Sequence, residues 1–253
     1  MNRLIIFFVL IVLAACSASR QPEIGKVIEI NSDAQYFQQN ALQYLGNRMK
    51  MVDKGDYQMY IGVRRTLHTD DRFDERKQEV NSTVTKIDTS YMYFVYKKGT
   101  KEGLVYNRRT GDSLKGIPFH IDTLIKSVGL DSNNLSGLGN DLGEPLHVIK
   151  DKTRLLEKYT PKKVNSETPD SIYRYYDTRY KGVDFTFSRS LDRQHNSKLI
   201  RIRSIYNPTE MKIEGKMVQV PRMEWNWELA YVDFSKELIE KYFALFEADH
   251  KRN

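Results

Sequence analysis

Alternation of apolar and polar residues dominates the second half of the chain. In its longest run, Met223, Trp225, Trp227, Leu229 and Tyr231 alternate with other residues, of which Glu224, Asn226 and Glu228 are polar. A period of two residues is typical of a strand with one buried and one solvated face. Shorter runs over residues 183–188 and 200–203 repeat this pattern. Since strands joined by short turns normally pair antiparallel, the pattern predicts an antiparallel sheet.

The first half of the chain contains further predicted strands. The period of two begins again at Tyr57 and continues to Leu67. Residues 91–96 are apolar or aromatic at every position, which indicates a central strand covered on both faces. Residues 80–86 and 104–106 are predicted as shorter strands, and the charged residues 68–79 are predicted as a connection.

Helical spacing is confined to a few stretches. Ser32 or Asp33 is suited to begin an N-terminal helix that Gly55 ends. The apolar residues of this helix are Phe37, Ala41, Tyr44, Leu45 and Val52. A C-terminal helix begins at Asp233 or Ser235, and its apolar face comprises Leu238, Ile239, Tyr242, Phe243, Leu245 and Phe246. Short helices are predicted near residues 121–128 and 155–159.

Together these patterns predict an α+β fold. We expect one large antiparallel β-sheet, strongly curved if it encloses a ligand, with the N-terminal helix and the C-terminal helix packed on it. Residues 33–253 are assigned to a single domain of this kind. The polar stretch 161–171, which contains Pro169, is the best candidate for an internal boundary, and we interpret it as a loop.

The first twenty residues differ in character from all that follows. Arg3 provides a positive start, and residues 4–15 form an apolar run that ends in small residues directly before Cys16. A membrane-spanning helix needs roughly 20 apolar residues, so this run is too short for one. The segment therefore has the pattern of a secretion signal with a cysteine at its cleavage site.

Leu13, Ala14, Ala15 and Cys16 resemble the lipobox of bacterial lipoproteins. The resemblance covers the signal alone, and the mature domain resembles no family. It implies that residues 1–15 are a signal peptide, that the Cys16 thiol receives a diacylglyceryl group, and that the new amino terminus is acylated, as with palmitate. Residues 16–32 are then a lipidated cysteine and a tether. Because Ser17 rather than an aspartate follows the cysteine, the class resemblance favours the outer membrane. Because no acidic run follows Cys16, it favours the periplasmic face of that membrane.

Composition restricts the classes of partner. Cys16 is the only cysteine, so the folded part contains no disulfide and no thiol chemistry. Cleavage would remove one charged side chain, Arg3, and lower the formal net charge from +7 to +6. Lys and Arg alternate with acidic residues instead of forming one stripe, so we expect no nucleic-acid partner.

Candidate catalytic and metal-binding motifs are weak. A dinucleotide fingerprint over 137–143 fails, because Leu142 occupies the third glycine position, and a flexible loop is favoured there. The charged group over 68–75 lacks the spacing of a calcium loop, so a solvated hairpin connection is favoured. Its members are His68, Asp70, Asp71, Asp74 and Glu75.

Histidines outside that group likewise indicate no reaction. His120 and Asp122 are suited to pair, but nothing in the spacing brings His147 or His195 to them as zinc ligands. No serine lies in a G-x-S-x-G motif. The sequence therefore predicts no metal and no cofactor, and it does not favour an enzyme.

The remaining candidate site is the face of the Trp225 strand. Met223, Trp225, Trp227 and Tyr231 share this face and would provide an aromatic floor for a lipid, glycan or peptide. The competing interpretation, which we favour, covers both tryptophans with Phe243 and Phe246 of the C-terminal helix. The predicted function is a membrane-anchored envelope lipoprotein that acts as a non-catalytic binding or assembly module with a protein partner. The alternatives are a carrier of lipid or another hydrophobic ligand, and a hydrolase of envelope polymers.

The lipobox resemblance generates a direct prediction. Replacing Cys16 with Ser removes the thiol that would form the thioether, so we expect the product to lose its acyl chains and to leave the membrane fraction. Metabolic labelling with a radioactive fatty acid and membrane flotation measure the two effects. A Cys16→Ser chain that is still acylated and membrane-bound would contradict the assignment.

Overall fold

The computed structural model describes residues 27–38, 41–74, 79–107, 115–127, 142–162, 168–213 and 215–251. The predicted signal peptide and most of the predicted tether lie outside these residues. Within them, no helix is long and apolar enough to span a membrane.

Strands make up most of the described chain. The first six strands are β1 (Val27–Gln38), β2 (Ala41–Lys54), β3 (Tyr57–Asp74), β4 (Glu79–Lys97), β5 (Glu102–Asn107) and β6 (Ile117–His120). The others are β7 (His147–Lys150), β8 (Arg154–Tyr159), β9 (Ser171–Asp177), β10 (Lys198–Tyr206), β11 (Thr209–Ile213), β12 (Lys216–Val220) and β13 (Met223–Tyr231). The helices are α1 (Ile121–Ser127), α2 (Arg189–His195) and α3 (Lys236–His250), with a 3₁₀ turn at Thr178–Tyr180.

Eleven strands form one antiparallel sheet in the order β6-β5-β4-β3-β2-β1-β13-β10-β9-β8-β7. Strands β11 and β12 form a separate hairpin. The last strand, β13, lies between β1 and β10, so it joins the N-terminal group of strands to the C-terminal group. The prediction of a large antiparallel sheet with few helices is confirmed.

The two faces of the sheet are buried by different elements. The tryptophan face is the one that bears Trp225 and Trp227. Its buried residues on the central strands include Ile28, Ile30, Met49, Met51 and Leu229. The helix face bears the alternate positions and is covered by α3 through Ile239, Tyr242, Phe243 and Phe246. The Tyr93 and Tyr242 rings stack there with centroids 3.6 Å apart.

A crossing segment, residues 178–188, covers one end of the tryptophan face. Phe185 and Phe187 are buried with that face. Asp184 forms an ion pair of 2.6 Å with Lys98, which follows β4. Along a flat sheet β9 and β4 are six strand spacings apart, or about 29 Å. The eight residues from Asp177 to Asp184, together with the long Lys98 side chain, cover this separation, so the crossing segment spans the tryptophan face from β9 to the end of β4.

The predicted N-terminal helix is wrong. Its residues form β1 and β2, which pair in register from Val27 opposite Val52 to Gln38 opposite Ala41. The hairpin is buried on both faces where it packs against α3 and the tryptophan-face core. Apolar residues therefore occur at neighbouring positions as well as alternate ones, and this spacing resembles that of a helix. Met51 and Val52 are adjacent in sequence, face opposite sides and are both fully buried. Within the described residues, strand β1 already starts at Val27, inside the stretch 16–32 that is predicted as a tether.

Three smaller predictions are also corrected. The predicted helix near residues 155–159 is strand β8, and the run 183–188 belongs to the irregular crossing segment. The charged stretch 68–79 is not a separate connection, because β3 continues to Asp74 and β4 begins at Glu79. By contrast, the helix near residue 121 and the C-terminal helix after Ser235 are confirmed.

Asp177 fixes the start of the crossing segment. Its buried carboxylate accepts hydrogen bonds from the backbone N–H of Arg179 at 2.9 Å and from the Arg179 guanidinium at 2.6 Å. The Arg179 guanidinium holds the pKa of this carboxyl below its usual range. A carboxyl with a lowered pKa stabilises the fold above its unfolded pKa, near about 3.9. That contribution is lost as the pH falls through the folded-state value.

We therefore expect Asp177→Asn to lower the free energy of unfolding at pH 7 by about 1–3 kcal/mol, because a charged hydrogen-bond acceptor is lost. Below about pH 4 the difference from the original chain should shrink, because Asp177 becomes protonated first in the unfolded chain and, at lower pH, in the folded chain. Urea unfolding at pH 7, 5 and 3 measures both effects. The exposed Asp233 makes no hydrogen bond or ion pair within the described residues, so Asp233→Asn is the control. A pH-independent loss would contradict the role of the charge.

Candidate functional site

The uncovered end of the tryptophan face carries an aromatic patch. We define the aromatic patch by its six large side chains, which come from β1, β2, β10 and β13: Tyr36, Leu45, Tyr206, Met223, Trp225 and Trp227. Leu45 is 63% exposed and Tyr36 is 37% exposed. Met223 and Trp225 are partly exposed, whereas Tyr206 and Trp227 form the buried floor. The patch thus continues the core outwards to the surface.

Small neighbours position the Trp225 indole. Ala34 lies opposite Trp225 on β1, and Ser204 lies opposite it on β10. The indole Nε1 donates a hydrogen bond of 2.8 Å to the carbonyl oxygen of Gln35. This bond satisfies the one polar group of the ring, so the rest of the ring is apolar contact area. The orientation of the ring is therefore set by the sheet before any ligand binds.

The aromatic rings of the patch contact one another. The centroid of Trp225 lies 5.2 Å from that of Tyr206 and 6.2 Å from that of Trp227. These separations are in the range of favourable edge and tilted ring contacts. The Ser204 hydroxyl beneath them is buried and has no hydrogen-bond partner within the described residues. The patch is a rigid apolar surface with one polar atom below it.

The structure brings together three of the four residues predicted for this face. Met223, Trp225 and Trp227 lie in the patch. Tyr231 lies at the other end of β13, where its ring stacks on Tyr180 of the crossing segment at 4.4 Å. The favoured interpretation, in which the C-terminal helix covers both tryptophans, is wrong. Helix α3 packs on the opposite face, because its apolar residues contact the alternate positions of β3, β4 and β5.

A buried polar cluster lies on the same face, on β8 and β9. Tyr159 donates a hydrogen bond of 2.7 Å to Glu157, and the Arg174 guanidinium lies 4.7 Å from the Tyr159 ring. His195 Nε2 lies 3.6 Å from Glu157 Oε2, and its ring is 4.4 Å from that of Tyr176. Burial and the Glu157 carboxylate raise the pKa of Tyr159 to about 12. This cluster was not predicted from the sequence. Glu157 and Arg174 become neighbours only through the pairing of β8 with β9, where they lie opposite each other and face inwards.

The residues considered for hydrolysis do not converge. His120 and Asp122 are exposed at the junction of β6 and α1, where His120 Nδ1 lies 3.8 Å from Asp122 Oδ2. His195 belongs to the buried cluster near β8, and β6 and β8 lie at opposite ends of the strand order. His68 pairs instead with Asp88 of β4 at 2.8 Å. Within the described residues, no three His, Cys, Asp or Glu side chains are grouped to hold a metal ion.

Two other regions are separate from the patch. A cleft of about 590 Å³ lies on the helix face between the β5–β6 hairpin and the end of α3. His120 and His250 line it, together with Phe246. The glycine-rich stretch 137–143 lies outside the described residues except for Leu142 and Gly143.

No protein-family model and no curated protein matches the chain. A crystal structure of a LolA superfamily protein from Nitrosomonas europaea is similar at 9% identity and a TM-score of 0.24, over 87% of this chain and 91% of that one. A second crystal structure is that of an outer membrane lipoprotein-sorting protein domain from Vibrio parahaemolyticus. It has 11% identity and a TM-score of 0.24, over 92% of this chain and 96% of that one. With TM-scores this low, neither likeness assigns a function.

The geometry of the patch predicts different solvent access for the two tryptophans. Trp227 is 9% exposed, whereas Trp225 is partly exposed. We expect acrylamide to quench the Trp227→Phe variant, which retains Trp225, several-fold more strongly than the Trp225→Phe variant. Fluorescence quenching checks this, and the free amino acid sets the upper limit. Equal quenching of the two variants would contradict an exposed Trp225.

Proposed function

We propose that the chain is a lipid-anchored protein of the bacterial cell envelope that binds a hydrophobic ligand, such as a lipid acyl chain, on the aromatic patch. The observation that carries this proposal is the exposure of Trp225 together with Met223, Tyr36 and Leu45 on a face whose remainder is core. Contiguous apolar surface of this kind marks binding sites in soluble domains. The anchor at Cys16 and a position on the outer membrane facing the periplasm are part of the proposal.

An acyl chain suits the patch for physical reasons. Burial of apolar surface is worth about 25 cal/mol per Å² and needs no directional contact, so a flat aromatic surface accepts a flexible chain. The floor residues Tyr206 and Trp227 are already packed, so little side-chain freedom remains to be lost on binding. The patch offers no cluster of charges that would require an ionic ligand.

A second candidate function is an assembly module for another envelope protein. Strand β7 lies at one edge of the sheet and exposes Val148 and Ile149, and Leu146, directly before the strand, is exposed as well. Edge strands with exposed apolar side chains pair readily with a strand of another chain. This surface is distant in the strand order from the aromatic patch, so the two candidates involve different residues.

The two tryptophans provide an internal probe, because the sequence contains no others. We expect brominated stearic acid to quench the tryptophan fluorescence of a chain of residues 17–253 in a saturable way, because bromine quenches the fluorescence of an indole that it contacts. The Trp227→Phe variant should retain most of the quenching, and the Trp225→Phe variant should lose most of it. Unbrominated stearic acid is the control for indirect effects.

A charged substitution distinguishes binding at the aromatic patch from binding at other apolar surfaces. Met223→Lys places an ammonium group against the acyl chain and should weaken binding by about tenfold or more. Ile149→Lys on β7 is the matched control and should leave the affinity unchanged. Quenching that is absent, or that responds to Ile149→Lys and not to Met223→Lys, would contradict the proposed site.

A further inference from the structure

A polar notch lies on the helix face, beyond the area that α3 covers. We define the polar notch by Asp33, Tyr44, Gly46, Arg201, Glu224 and Asn226, which line a pocket of about 290 Å³. Asp33 and Val27 are separated by an even number of positions on β1, so Asp33 lies on the same face as Val27, which packs with α3. The notch is therefore on the opposite side of the sheet from the aromatic patch.

The position of the Asp33 carboxylate in the notch depends on the missing side chain at Gly46. Gly46 lies opposite Asp33 in the β1–β2 ladder. A Cβ atom added at Gly46 would come within 2.9 Å of Asp33 Oδ1, so the Asp33 carboxylate would have to move away from its present position. The Asp33 carboxylate thus occupies the space above the glycine and forms one wall of the pocket.

Two polar groups of the notch, on Arg201 and Asp33, can form hydrogen bonds beyond those they make within the described residues. Arg201 Nε donates to Asn226 Oδ1 at 2.6 Å, and its guanidinium lies 5.4 Å from the Tyr175 ring. Its other nitrogen atoms form no hydrogen bond within the described residues. The Asp33 carboxylate likewise makes no hydrogen bond or ion pair there. The Asp33 carboxylate, an acceptor, and the Arg201 guanidinium, a donor, therefore face the pocket from opposite sides of the Asn226 amide.

The remaining walls are held firmly. Glu224 accepts two hydrogen bonds of 2.6 Å from Arg203, which lowers the pKa of its carboxyl. The Glu224 backbone N–H donates to the Gln35 side chain at 3.1 Å. Tyr44, which is 71% exposed, places an aromatic ring at the rim. The notch thus combines fixed walls, free planar polar groups and one accessible ring.

We propose that the polar notch binds a carbohydrate. A sugar hydroxyl both donates and accepts, so neighbouring hydroxyls satisfy a free carboxylate and a free guanidinium at once. The C–H face of a pyranose ring is apolar and packs on an exposed tyrosine. The two carboxylates disfavour an anionic ligand, and the volume is at the lower end of small-molecule sites, near about 300 Å³.

Saturation-transfer difference NMR on the full chain tests this. The chain is held in lauryl dimethylamine oxide, a detergent without sugar, and the probes are glucose, mannose, galactose and N-acetylglucosamine. We expect at least one sugar to receive saturation, strongest on the protons of one ring face. Gly46→Ala and Asp33→Asn should each weaken that binding by about tenfold. Asp233→Asn is the matched control for Asp33→Asn and should leave the binding unchanged, because Asp233 is exposed beyond the other end of β13 and makes no hydrogen bond or ion pair within the described residues.

Each outcome decides the proposal. Saturation of a sugar that Gly46→Ala abolishes, with an unchanged circular dichroism melting curve, supports it. If none of the four sugars is saturated, or if Gly46→Ala and Asp33→Asn have no effect, the proposal is overturned. Binding of the zwitterion alanine in place of the sugars would also overturn it. Fatty-acid quenching of Trp225 is independent of these results, so the two proposed sites succeed or fail separately.

The source of the sugar is a separate arm of the same experiment. A free disaccharide is compared with the same disaccharide carried on a lipid in phosphatidylcholine vesicles. Equal affinities indicate a soluble or polymeric glycan, and a higher affinity for the vesicles indicates the headgroup of a membrane glycolipid. In both cases the Gly46→Ala chain should lose the binding, and retention would count against the notch.

Discussion

The pairing of β13 between β1 and β10 is the constraint on which the rest of the structure depends. Strands β1 to β6 form one antiparallel series, and β7 to β10 form another. Only β13 joins them, through seven paired positions with β1 and six with β10. Because this strand comes almost last in sequence, its pairing with β1 brings together the two ends of the described chain. Long-range pairing of this kind requires loop-closure entropy to be overcome before the contacts stabilise the fold.

One sheet of eleven strands has two faces to bury, and the chain uses two unrelated solutions. The regular helix α3 covers the helix face over β3 to β5, where aromatic residues such as Tyr93 and Phe243 stack or pack. The irregular crossing segment covers one end of the tryptophan face with Phe185 and Phe187. Neither element extends over the region of β1, β2 and β13 near Gln35. Both candidate sites lie there because the side chains of these strands remain accessible on each face.

The sheet and the C-terminal helix were predictable because their periods are unambiguous. The strand Met223–Tyr231 has five apolar positions with a strict period of two, and α3 has its apolar residues on one side. The hairpin β1–β2 was not predictable in the same way, because different segments of each strand face different cores. A strand buried on both faces at one end and solvated at the other has no clean period, and helical spacing then fits it by chance. The strand predicted over residues 183–188 was wrong for a different reason. Val183, Phe185 and Phe187 alternate and are buried, but the segment that carries them is irregular and pairs with no strand.

For the candidate sites, the sequence indicates residue chemistry but not the face or the neighbour. It shows that Met223, Trp225 and Trp227 share one side of a strand, but only the sheet order shows that α3 lies on the other side. The polar notch had no signal at all, because Gly46 and Asp33 become neighbours only through the β1–β2 register. Gln35 connects the two sites physically. Its carbonyl oxygen accepts the Trp225 indole N–H on one face, and its side chain accepts the Glu224 backbone N–H beside the notch. One residue thus orients a wall of each site, so a change of backbone position at Gln35 would alter both faces at once.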